Sequence, residues 1–133
     1  MTSPWSPETG SLDLQTLGRL YRSGALTPTA VVDGVYDRIA RRGDDHVWIY
    51  LAPRAQLLSE AAALEAAGPT DDPLWGIPYS VKDCNDVPGM PTTNALPEMA
   101  YVPETTGQAM QRLAESGALC LGKVNMDQFG VGL

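Results

Sequence analysis

Lys82 closes the run Leu74-Trp75-Gly76-Ile77-Pro78-Tyr79-Ser80-Val81-Lys82-Asp83, in which an apolar strand delivers an amine to the lip of a turn-rich loop. Burial at such a position would disfavour the ammonium form and leave a neutral proton acceptor at working pH. The nearest nucleophile for that base is Ser80, because residues two apart on a strand share a face. A Ser-Lys dyad at mid-strand would lack oxyanion donors such as a helix N-terminus, so a hydroxyl bonded to neighbouring backbone is the simpler reading of Ser80. Asp83 would point to the opposite face from Lys82 and, with Asn85 and Asp86, is expected to organise the loop through Asx turns. Without further context, a lysine at a strand end is a surface residue.

Other chemistry-bearing residues are sparse. His46 is the sole histidine and lies in Arg41-Arg42-Gly43-Asp44-Asp45-His46, where a solvated loop residue is expected. Cys84 and Cys120 are the only cysteines, too few for a disulfide framework; without clustered histidines they make no zinc site, and both are expected to serve as small buried hydrophobes. No metal or organic cofactor is expected. The net charge of -7 would repel a phosphate backbone, so nucleic acid is not an expected partner. No apolar run approaches the roughly 20 residues that span a bilayer. The first eight residues carry neither a basic n-region nor an apolar h-region, so a cytoplasmic location is expected by default.

At 133 residues the chain has room for one domain with a real core, and two large domains are excluded. Ser11 is expected to cap a helix carrying Leu14, Leu17, Leu20 and Tyr21 on one stripe and stopping at Gly24. Thr27-Pro28 reads as a cap and first helical position, followed by Val31, Val32, Val35, Tyr36 and Ile39 at helical spacing up to Gly43. Residues 47–51 are an unbroken apolar, β-branched and aromatic run, expected to be a strand buried on both faces. Residues 54–67 are rich in Ala, Leu, Glu and Gln and predict a helix closed by Gly68-Pro69. A second strand over 77–82 leads into an irregular loop punctuated by Asn85, Pro88, Gly89, Pro91, Asn94 and Pro97, whose length suggests function. Thr105 or Thr106 is expected to cap a helix ending at Gly117, residues 118–121 to form a strand, and Asn125 or Asp127 to open another helix that includes Leu133. Strand, crossover helix and strand imply a parallel βαβ unit, with Lys82 at the carboxyl end of a parallel strand, where open α/β sheets bind ligands.

The run Gly76-Ile77-Pro78-Tyr79-Ser80-Val81-Lys82-Asp83-Cys84-Asn85-Asp86-Val87-Pro88-Gly89-Met90-Pro91-Thr92-Thr93, followed by Tyr101-Val102-Pro103 and Gly117-Ala118-Leu119-Cys120-Leu121-Gly122-Lys123-Val124-Asn125-Met126-Asp127-Gln128-Phe129, closely resembles the amidase signature family. The resemblance spans residues 74 to 133. It implies an α/β fold with a mixed, largely parallel sheet flanked by helices. This chain would supply the N-terminal part of a single such domain, incomplete here: a mainly helical lead-in over 1–73 and the start of the signature core over 74–133. It also implies a Ser-cisSer-Lys hydrolase in which Lys82 matches the catalytic lysine, taking a proton through a bridging serine from the serine that attacks an amide carbonyl. Both serines and the oxyanion loop would lie after residue 133. None of Ser3, Ser6, Ser11, Ser23, Ser59, Ser80 or Ser116 has a Gly-Ser-Ser-Gly-like setting, so the chain alone is expected to be inactive. Thr92-Thr93 is read as loop scaffolding, Lys123 and Asn125 as structural hydrogen-bonding residues, and Cys84 as a departure from the Asn of many relatives.

Within the family, Asp127-Gln128-Phe129-Gly130-Val131-Gly132-Leu133 resembles the wording of the allophanate hydrolase branch, which converts the carboxylation product of urea to ammonia and carbon dioxide. The glutamyl-tRNA amidotransferase branch reads Asp-Glu-Phe at the same place in its A subunit. The resemblance therefore implies an allophanate hydrolase acting in urea degradation on a small amide, with another small-amide amidase or the A subunit of a glutamyl-tRNA amidotransferase as alternatives. Substrate-selecting residues are not identifiable in this stretch, and a homo-oligomer of the full-length protein is left open. A reading of a different class is a non-catalytic remnant or interaction module with unpaired sheet edges.

Overall fold

The computed structural model describes residues 5–132. The leader over residues 1–4 and the position of Leu133 lie outside the described residues. Four helices and three strands follow in the order α1 (Leu14–Arg22), α2 (Pro28–Arg42), β1 (Trp48–Leu51), α3 (Arg54–Ala67), β2 (Pro78–Lys82), α4 (Gln108–Glu115) and β3 (Leu119–Val124), with 3-10 turns at Pro97–Met99 and Gln128–Gly130.

Local signals explain most boundaries. Thr27 caps α2 by accepting from the Ala30 N–H, Pro28 occupies the first turn, and Gly43 ends the helix at a φ of 70°. Helix α3 ends at Gly68 as its composition predicts. Two caps differ from expectation. Asp13, not Ser11, caps α1 by accepting from Thr16 N at 2.8 Å, while the Ser11 hydroxyl donates to the Asp13 carboxylate. Helix α4 starts after Gly107 with no side-chain cap, because the Thr106 hydroxyl donates to the Asp86 carbonyl at 2.6 Å and is committed to the loop.

The sheet has the order β1-β3-β2. Strands β2 and β3 are parallel, joined through α4, and pair from Pro78 opposite Leu119 to Lys82 opposite Val124. The expected parallel unit is therefore β2-α4-β3, with Lys82 at its carboxyl end. Strand β1 is antiparallel to β3, so the sheet is mixed and the β1-α3-β2 connection is not a parallel crossover. As an edge strand β1 is half-buried along its length and not covered on both faces, and Val47 before it is exposed. Strand β3 runs on to Val124, three residues past the expected end, and so takes in Lys123. Beyond it, the expected helix at Asn125 or Asp127 is only the Gln128–Gly130 turn, interrupted by Phe129 at a φ of 54°.

Helices α1, α2 and α3 pack with the sheet around Leu17, Val31, Val32, Leu57 and Ala61, all fully buried, together with Ile77, Leu119 and Leu121. Burying each such aliphatic side chain contributes about 1.5–3 kcal/mol. The Tyr21 and Trp75 rings meet edge to face at 5.7 Å, and the Tyr21 hydroxyl donates to the Gly76 carbonyl at 3.0 Å, which fixes the entry into β2.

Glycine is required at position 122. The β2–β3 register shifts beside it, and a Cβ there would lie 2.1 Å from the Tyr50 carbonyl oxygen. The backbones of β1 and β3 approach each other too closely for any side chain. Gly122→Ala is expected to lower unfolding free energy by about 2 kcal/mol or more in urea titrations. A loss below about 0.5 kcal/mol would show that the strands separate freely at this point.

Candidate active site

The site is built from the carboxyl ends of β2 and β3 and the loop that follows β2. Lys82 is the last residue of β2 and is exposed. Its amine has no hydrogen bond or ion pair among the described residues. Ser80 is also exposed and makes no hydrogen bond to Lys82 among the described residues. The backbone around Lys82, in contrast, is held at every step. The Lys82 carbonyl accepts from Asn85 N at 2.9 Å and Asn85 Nδ2 at 3.1 Å, and Asp83 N donates to the Val124 carbonyl at 3.1 Å.

Asp83 is fully buried and turns away from Lys82, as alternation along the strand requires. Its Oδ2 accepts from Thr93 N at 3.1 Å, Ala95 N at 3.1 Å and the Thr93 hydroxyl, clamping a residue ten positions on against the strand end. Its Oδ1 makes no hydrogen bond among the described residues but lies 3.5 Å from the Lys123 ammonium. Burial pushes the Asp83 carboxyl up. The hydrogen bonds from the Thr93 hydroxyl and Ala95 N, with the Lys123 charge and Thr93 N, outweigh it and hold the group below the ordinary carboxylate value.

Lys123 is the larger surprise. Its side chain is fully buried, and each of its three ammonium hydrogens has an acceptor: the Asp83 carbonyl at 3.0 Å, the Pro91 carbonyl at 3.1 Å and Thr92 Oγ1 at 3.0 Å. The Thr92 hydroxyl in turn donates to Asp86 Oδ1 at 2.9 Å, which also accepts from the Tyr101 hydroxyl at 2.8 Å. The backbones of Thr92 and Tyr101 pair as an isolated antiparallel bridge. Asp83, Asp86 and Lys123 thus cross-brace a loop that has almost no regular structure. Sequence reasoning read Thr92-Thr93 as loop scaffolding and gave Lys123 and Asn125 structural hydrogen bonds, and these residues do hydrogen-bond loop to strand, but it missed that Lys123 is a buried cation paired with Asp83. The available signal was a lysine inside the apolar run Leu119 to Val124.

Asn94 and Ala95 both adopt left-handed backbone conformations, with φ of 52° and 60°, which non-glycine residues hold only when their surroundings enforce it. Here Ala95 N bonds Asp83 and the Asn94 carbonyl accepts from Phe129 N at 3.1 Å. An open pocket of about 410 Å³ beside this segment is lined by Ile49, Pro91, Thr93, Ala95 and Asn125 among others, at the same end of the sheet as Lys82. Asn125 ties the end of β3 to the approach to β1, donating through its backbone to the Val47 carbonyl at 2.7 Å and through Nδ2 to the His46 carbonyl at 3.2 Å.

None of the remaining candidates is hydrogen-bonded to the Lys82 amine among the described residues. His46 is an exposed loop residue beside Asp44. Cys84 is exposed, contrary to the expectation that both cysteines are buried, because it alternates outward at the strand end after buried Asp83. Cys120 is half-buried, and desolvation first of all pushes its thiol up. No cluster of three metal-ligating side chains occurs among the described residues, and none of their helices is long and apolar enough to cross a membrane.

The Asp83–Lys123 pair generates three expectations, two read by denaturation and one by a second measurement. Replacing Asp83 with Asn leaves a buried cation without its counter-charge and is expected to cost about 3 kcal/mol in chemical denaturation. Because the folded carboxyl is held below its unfolded value, its stabilisation is full above about pH 4 and is lost as pH falls through the depressed folded value, so wild type should lose more stability than Asp83→Asn on going from pH 6 to pH 2. The chain has only two lysines, which makes the second measurement direct. With 15N-labelled lysine, the Lys123 ammonium protons should be visible and slow to exchange while those of Lys82 exchange with water. Equal exchange at both would contradict the burial of Lys123.

A family model described as Amidase matches residues 30–133. The urea amidolyase of Saccharomyces cerevisiae is 40% identical over 90 residues, covering 67% of this chain and 5% of that protein. The A subunit of the glutamyl-tRNA(Gln) amidotransferase of Nitratidesulfovibrio vulgaris is 43% identical over 105 residues, covering 75% of this chain and 22% of that protein. Among solved structures, the allophanate hydrolase of Kluyveromyces lactis superposes with a TM-score of 0.71 at 29% identity, over 96% of this chain and 21% of that one. The chain thus spans less than a quarter of the length of each of these proteins. Its signature strand, its loop and its sheet all lie within the matched region, and the chain belongs to the amidase family.

Proposed function

We propose that this chain contributes the general base, Lys82, to an amide-hydrolysing site of the Ser-cisSer-Lys type whose natural substrate is allophanate. The observation that carries the reading is the placement of Lys82 at the carboxyl end of β2, in a parallel β2-α4-β3 unit whose strand end is fixed by Asn85, Asp83 and Lys123. A base acts only from a fixed position, and this one is anchored through its backbone. In the proposed reaction the Lys82 amine takes a proton from a bridging serine, which takes one from the attacking serine. The attacking oxygen adds to the amide carbonyl, ammonia leaves on protonation, and water releases the acyl group. The two serines come from outside this chain's described residues, and none of the chain's own serines is assigned to either role.

Allophanate is favoured by similarity to urea amidolyase and allophanate hydrolase and by the Asp127-Gln128-Phe129 wording. The identity to the amidotransferase component, 43% over a longer stretch, favours a second reading in which the released ammonia is passed on. Ammonia release by the full-length protein from allophanate, from simple amides and from glutamine separates these. Fastest turnover of allophanate is expected, and Lys82→Ala should lower the rate by about 10²–10⁴-fold. Full activity in that variant would remove the proposed base, and absence of hydrolysis on every substrate would favour a non-catalytic module.

A further inference from the structure

We infer that Lys123 is a positioning residue for the amide-hydrolysing site: its buried ammonium fixes the peptide that follows Lys82 and thereby the direction in which the Lys82 amine projects. The inference rests on the proposed role of Lys82 as base. In register, Val81 lies opposite Lys123 and Lys82 opposite Val124, so the two lysines stand on adjacent rungs and project to opposite faces of the sheet. Lys123 therefore acts on Lys82 through the backbone and not through side-chain contact.

The route is short. Lys123 Nζ donates to the carbonyl of Asp83, the first residue after Lys82, while its other two hydrogens go to Pro91 and Thr92 in the returning loop. Three points of the chain after Lys82 converge on one charge. A purely packing role at this fully buried position would be met by an apolar side chain without the cost of desolvating a cation. What an apolar side chain lacks is direction. Only a donor set can hold the Asp83 carbonyl and two loop acceptors at fixed angles, and the Asp83 carboxylate beside it balances the charge.

The test is made in the full-length protein, with Lys123→Met and Lys82→Ala compared with wild type for kcat and KM on the amide that wild type cleaves fastest, and with thermal unfolding recorded in parallel. Lys123→Met is expected to lower kcat about 100-fold, the scale of a 1 Å misplacement of a reacting group, with KM changed less than about threefold. A folded Lys123→Met protein with a lower Tm but wild-type kcat would overturn the inference, since that is what a merely structural lysine produces. If Lys123→Met does not fold, Thr92→Val decides, because it removes one ammonium acceptor at nearly constant volume: a kcat lower by about tenfold at unchanged KM supports the inference, and unchanged kcat overturns it. Inactive Lys82→Ala beside fully active Lys123→Met sinks this inference alone. Fully active Lys82→Ala sinks the proposed base and this inference with it.

Discussion

A lysine ammonium placed where water cannot reach must be given acceptors by the protein, and in this chain that requirement shapes the whole carboxyl end of the sheet. The effective penalty for burying such a charge is several kcal/mol, which returns only if geometry and counter-charge are both good. Lys123 meets the condition with three oxygen acceptors and the Asp83 carboxylate. Those acceptors belong to residues 83, 91 and 92, so a stretch rich in proline and poor in regular hydrogen bonding is obliged to fold back onto β3. Asp83 extends the same constraint to Thr93 and Ala95, and Asp86 extends it to Tyr101 and Thr106.

The brace depends in turn on the sheet. Lys123 follows Gly122, where the β2–β3 register shifts and the β1 and β3 backbones approach too closely for a Cβ. Above this, the apolar side chains of α1, α2 and α3 cover the other elements, with Tyr21 and Trp75 pinning the segment that enters β2. Packing energy resides in that core and directional control in the polar brace. The exposed Lys82 stands between them, anchored by its backbone alone.

The relation to amidases divides in the same way. Membership in the family rests on a long stretch of matching sequence and on the fold, whereas the proposal of allophanate over other amides rests on similarity to particular relatives and on a few residues near Gln128. Gln128 itself lies in an exposed 3-10 turn.

Helices α2 and α3, strand β2 and the irregular loop were legible because their signals are local: Thr27-Pro28, Gly43, an alanine-rich stretch closed by Gly68, and clustered prolines each act through the backbone of their immediate neighbours. Lys82 was legible because the wording around it is specific. The antiparallel entry of β1, the extension of β3 to Val124, the loss of Thr106 as a helix cap and the burial of Lys123 were not, because each depends on a partner far along the chain. The sequence by itself determined the family, helices α1 to α4 and the residue proposed as base. Only the tertiary structure decided which face Lys123 would occupy and what it would hold, since a buried charge is compensated by groups that meet in space, not in sequence.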